Sequence, residues 1–124
     1  MIRSILGATA GGLAIVAFAA LWLQAMPVKA GECGKASFYA EAHQGRTMAN
    51  GRPFNMNAMT AASNSLPLGS RARVTSGKRS VVVTITDRGG FGKYGRILDM
   101  SKASFARLAN PAKGVIRVCV TKLH

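Results

Sequence analysis

The 124-residue chain predicts a mainly β fold, a small closed barrel of six short strands with one short helix, behind an N-terminal signal peptide. Two segments carry the strand prediction. Residues 80–87 and 114–121 alternate side chains with a period of two and are rich in Val, Ile and Thr, as a half-buried strand requires. The helix rests on Ser101, a good N-cap, with Phe105 and Leu108 on one face behind it. Six short strands leave exposed sheet edges unless the sheet closes on itself, so a barrel is the expected architecture.

Residues 1–30 have the three-part layout of a secretory signal. Met1-Ile-Arg3-Ser is a basic start, Leu13 to Leu23 is an apolar core, and Val28-Lys29-Ala30 places small residues at −3 and −1 of a cleavage site. A retained membrane anchor is the alternative, because the run from Ile5 to Leu23 is uncharged and could just span a bilayer. Gly7, Gly11, Gly12 and the Val-Lys-Ala site favour cleavage after Ala30, which would export the protein to the periplasm, the cell envelope or the medium. Cys33 does not suit lipoprotein processing, since Glu32 directly precedes it.

Residues 31–124 then form one domain without repeats or low-complexity linkers. Shorter strands are expected at 36–39, 58–62, 71–75 and 95–98, separated by Gly, Pro, Asn and Ser. In the strand at 80–87, Val81, Val83 and Ile85 face inward, Asp87 shares their parity, and Ser80, Thr84 and Thr86 face out. The helix runs from Ser101 through Leu108 and stops before Asn110-Pro111. In the last strand Ile116, Val118 and Val120 face inward, with Arg117 and Cys119 outward. So small a domain buries only about 60–65 per cent of its unfolded surface, and a covalent staple helps. After export an oxidising compartment permits a Cys33–Cys119 bridge.

Charge narrows the partners. The chain holds 17 Lys and Arg against 4 Asp and Glu. Loss of Arg3 and Lys29 on cleavage still leaves a net charge of +11 on the mature domain. An exported protein so basic is attracted to acidic wall polymers or anionic lipid. Nucleic acid is not expected, because the bases are spread from Lys35 to Lys122 and few aromatic residues interleave them. His43 and His124, far apart in sequence, suggest no metal site, and no cysteine-hydrolase signature, Gly-x-Ser-x-Gly elbow or phosphate loop occurs. Met48, Met56, Met59 and Met100 read as core filler.

Acid–base chemistry has four carboxyl candidates, Glu32, Glu41, Asp87 and Asp99. Glu32 lies at the processed terminus and Glu41 in a polar loop with His43 and Gln44. Asp87 ends the strongest strand and precedes Arg88-Gly89-Gly90-Phe91, where backbone can approach a ligand closely. It is either a carboxyl that binds turn amides or a catalytic one. Asp99 stands two residues before the helix cap, where the helix dipole also favours a carboxylate.

Six motifs in order carry a family resemblance: Ala36-Ser-Phe-Tyr39, Gly45-Arg-Thr-Met-Ala-Asn-Gly51, Asn57-Ala-Met-Thr-Ala-Ala-Ser63, Leu66-Pro-Leu-Gly69, Val81-Val-Val-Thr-Ile-Thr-Asp-Arg-Gly89 and Gly95-Arg-Ile-Leu-Asp-Met-Ser101. Together they resemble the rare lipoprotein A (RlpA) family of septal peptidoglycan transglycosylases over nearly all of residues 33–123. The resemblance implies a double-psi β-barrel, like that of expansins and barwin-like proteins. It also implies endolytic cleavage of glycan strands lacking stem peptides, with 1,6-anhydro-muramyl ends and no cofactor.

Carried over position by position, the resemblance places the family's catalytic Asp on Asp87. Its Glu falls on Arg52 and its His on Ser63, so two polar groups tied to activity are substituted. Asp99 matches a position that faces polysaccharide in related barrels. In the enzyme reading Asp87 protonates the glycosidic oxygen, then accepts the proton of the attacking C6 hydroxyl. In the alternative, a non-catalytic wall-binding or wall-loosening module, Asp87 and Asp99 only hydrogen-bond sugar. Arg88 belongs to the substrate-binding set in either case, with Tyr39, Phe91 or Tyr94 stacking on rings. The expected partner is a peptidoglycan glycan strand or another acidic wall polymer, bound by a monomer.

Overall fold

The computed structural model describes residues 31–92 and 95–124. The signal peptide or anchor assigned to residues 1–30, and Tyr94, lie outside the described residues. Six strands form, β1 (Glu32–Phe38), β2 (Thr60–Ala62), β3 (Arg71–Ser76), β4 (Arg79–Asp87), β5 (Arg96–Met100) and β6 (Ile116–Lys122). They close into a barrel in the order β1-β5-β2-β4-β3-β6. The pairs β1/β5 and β2/β4 are parallel, and the other four pairs are antiparallel. Closure pairs every strand on both sides, which removes the exposed edges that six short strands would otherwise present.

The inward parities of β4 as far as Ile85, and of β6, hold. Val81, Val83 and Ile85 are buried, as are Val118 and Val120, and they pack with Ala36, Val74, Leu98, Met100 and Phe105. Arg117 and Cys119 face out as expected. Cys33 and Cys119 stand directly opposite in the antiparallel β1/β6 ladder and are joined by a disulfide.

Three expectations need correction. β1 starts at Glu32, ahead of the motif at Ala36, because its register with β6 runs from Glu32 opposite Val120. The helix α1 (Lys102–Ala106) is only five residues long, so Leu108 is buried beyond its end rather than in it. Asp87 does not share the inward parity of β4. The β2/β4 register sets Ala61 against Ile85 and then Ala62 against Asp87, so Thr86 is skipped. This irregularity buries Thr86, which the alternation placed outside, and moves Asp87 to the outer row.

Ser101 closes β5 and opens α1. Its Oγ donates to the carbonyl of Ala58 and accepts the amide of Ser104, the N-cap bond that a first helical turn needs. Phe105 of α1 then packs on Phe38 of β1 with ring centroids 4.7 Å apart.

Candidate functional site

The register shift in β4 builds the site. Asp87 pairs with Ala62, Ala62 with Asp99, and Asp99 with Ser37, so one row across β4, β2, β5 and β1 carries two carboxyl groups. Two strand spacings, about 9–10 Å of backbone, separate them. Ala62 between them has no side chain long enough to fill the gap. A groove of about 480 Å³ runs over this row, lined by Tyr39, His43, Arg46, Phe54, Asp87, Arg88, Phe91, Arg96 and Asp99 among others.

One wall is a small hairpin, residues 45–54. It is held by the amide of Gly45 to the carbonyl of Phe54 at 2.9 Å and the amide of Phe54 to the carbonyl of Arg46 at 2.7 Å. Gly45 and Gly51 have φ of 84° and 87°, the left-handed region that glycine enters without steric cost. The hairpin tip docks on the end of β4, where Asp87 Oδ1 accepts the amide of Ala49 at 2.7 Å and that of Arg88 at 2.8 Å. Asp87 Oδ2 accepts the hydroxyl of Tyr39 at 2.6 Å. Asp87 is the acceptor in all three bonds, and its direction is therefore fixed.

Asp99 is held differently. Oδ1 accepts the hydroxyl of Ser37 at 3.1 Å, and that hydroxyl accepts from Arg96 Nη1 at 3.1 Å. Burial pushes its carboxyl up from the ordinary range; Ser37, Arg96 and His43 oppose that rise, while the charge of Asp87 adds to it. Its carboxyl is directed at Ser37 and lines the groove, and the cap of α1 comes from Ser101. Burial and the bond to Asp87 also push the Tyr39 phenol well up, which keeps it a proton donor to Asp87.

The other residues expected in the site divide. Tyr39 lines the groove, but its ring is stacked on Phe54 at 4.6 Å and meets His43 edge-on, so only part of the ring is free to stack on a ligand. Phe91 lines the groove yet is only 4% exposed and packs against Gly89, so the stacking role expected of it is corrected to a wall. Arg88 Nη1 donates to the carbonyl of Ser63. Ser63 is 1% exposed, and its Oγ accepts the amides of Ser65 and Leu66, which leaves it a turn-former beside the site. Arg52 is exposed and does not line the groove. Glu41 pairs with Lys102, and Glu32 accepts the hydroxyl of Ser65, both away from the acid row. Arg46, Ser37 and Arg96 lie inside the quoted motifs without a role of their own there; the pairing of strands and the hairpin bring them to the acid row. Among the described residues no cluster of three metal-ligating side chains forms.

The chain is similar to known proteins in sequence and fold. The family described as "Lytic transglycolase" matches residues 31–120. An uncharacterized protein of Synechocystis sp. is 44% identical over 90 residues, 71% of this chain and 94% of that protein. The probable endolytic peptidoglycan transglycosylase RlpA of Treponema pallidum is 43% identical over 116 residues, 87% of this chain but 36% of that protein. The chain thus spans nearly all of the first relative and little more than a third of the second. An expansin of Clavibacter michiganensis superposes with a TM-score of 0.60 at 25% identity, covering 74% of this chain and 50% of that one.

Proposed function

The chain belongs to the lytic transglycolase family, as an RlpA-like double-psi β-barrel, and from that premise we propose that it is an endolytic peptidoglycan lytic transglycosylase. It acts as an exported monomer on glycan strands lacking stem peptides and leaves 1,6-anhydro-muramyl ends. The observation that carries this reading is the single row in which Asp87 and Asp99 flank Ala62 beneath an open groove.

Sequence reading assigns both proton transfers to Asp87. The different surroundings of the two acids support dividing the work, since a pair whose environments differ can act as acid and base. Asp99, whose carboxyl burial pushes up, protonates the glycosidic oxygen as the bond from C1 to O4 breaks. Asp87, accepting three hydrogen bonds and donating none, takes the proton of the C6 hydroxyl as its oxygen bonds to C1. No water enters the product, and Tyr39 holds the base in place.

Asp87→Asn keeps the shape of the residue but removes the basic oxygen. Release of anhydro-muramyl products from peptide-free strands, followed by mass spectrometry, should fall by about a hundredfold or more while cosedimentation with glycan persists. A second reading, a wall-binding module, is favoured by the sealed Ser63 and the outlying Arg52. A protein that sediments with glycan and yields no anhydro product would establish it.

A further inference from the structure

Three guanidinium groups line the groove, and two of them are spoken for. Arg88 donates to Ser63 and Arg96 to Ser37. The third, Arg46, is exposed and has no hydrogen bond or ion pair from its side chain among the described residues. Its backbone, by contrast, is fixed on both sides. Its amide donates to the carbonyl of His43 at 3.0 Å and its carbonyl accepts the amide of Phe54 at 2.7 Å. It shares the hairpin whose Ala49 amide is anchored on Asp87, so the backbone that carries this cation is fixed beside the acid row.

Three arginines against two carboxyl groups give the groove an excess of positive charge. A neutral sugar needs no such excess. An unpaired guanidinium on an anchored backbone suits a carboxylate, to which its planar fork can donate two parallel bonds. Resting on the glycan reading above, we infer that Arg46 is a specificity-determining residue that pairs with the free lactyl carboxylate of a muramic acid. The stem peptide is joined to the glycan through an amide at that carboxyl group. Where the peptide is present the position is a neutral amide, and where it has been removed the position is an anion. Arg46 thereby reads the absence of the peptide as a charge.

The test is a two-by-two titration at fixed ionic strength. Wild type and Arg46→Gln are each titrated with soluble peptide-free glycan strands and with the same strands after their carboxyl groups have been coupled to methylamine. An exposed ion pair of good geometry predicts about two- to fivefold weaker binding of wild type to the amidated strands. Arg46→Gln should bind the free-acid strands as weakly as wild type binds the amidated ones, and should not distinguish the two. Arg46→Lys, which keeps the charge without the fork, should restore part of the discrimination and so separates charge recognition from a folding defect. If wild type binds both strands equally, or Arg46→Gln still prefers the free acid, the assignment to Arg46 is wrong. If wild type binds neither, the glycan reading itself falls.

Discussion

Asp99 shows how one half-buried carboxyl group can be costly to the fold and useful to the site. Its folded value lies above its unfolded one, so its contribution to stability is fully present below the unfolded value near pH 4 and is lost as pH rises through the folded value. Ionisation of the group therefore opposes folding as pH rises above the unfolded value. Asp99→Asn removes that penalty and keeps an acceptor for Ser37. In thermal melts the variant should be more stable than wild type at pH 7, and the advantage should vanish toward pH 3. Its transglycosylation should meanwhile fall by about a hundredfold. If the variant is instead less stable at pH 7, a supporting role at the start of α1 would explain the residue better. The two acids of the row were legible as residues because the chain has so few carboxyl groups. Their surroundings were not, because the Tyr39 hydroxyl and the Ala49 amide reach Asp87 from positions 48 and 38 residues away.

Among the elements, period-two patterning revealed β4 and β6 but could not reveal the skipped residue at Thr86, since a single-residue shift leaves no mark on composition. That shift decides the site, for without it Asp87 would face the core while Asp99 faced the groove. The start of β1 was hidden for a related reason: Glu32 and Lys35 are polar, and only the ladder to β6 makes them strand. The helix was legible at its beginning and overextended at its end. Ser101 marks the beginning because its hydroxyl serves two elements at once, accepting from Ser104 of α1 and donating to Ala58 ahead of β2. Ser101→Ala removes this donor to the Ala58 carbonyl from a fully buried position. The loss of cap and bond together should cost about 1–3 kcal/mol in denaturant unfolding, with the groove, and so glycan binding, largely unchanged below the transition.

At the scale of the whole barrel, closure depends on the seam between β1 and β6, where the two ends of the described domain meet. The disulfide crosses that seam between residues 86 apart in sequence. Replacing Cys33 and Cys119 by Ser together should lower unfolding free energy by about 2–5 kcal/mol, with much of the effect arising from the freed unfolded chain. The same seam carries a cost that the disulfide offsets. Two residues along the ladder Lys35 stands directly opposite Arg117, both exposed, and like charges so placed repel. The described domain has little to neutralise them with, because its acids are few and the ion pair present among the described residues joins Glu41 to Lys102. Lys35→Glu turns this repulsion into an attraction and should raise stability by about 0.5–1 kcal/mol. The gain should shrink as salt screens the pair. It should also be larger in the double serine variant, where the crosslink no longer holds the strands together against the repulsion. Equal gains with and without the disulfide would mean that the charge pair acts on the surface at large, through the protein's net charge, and not on closure of the barrel.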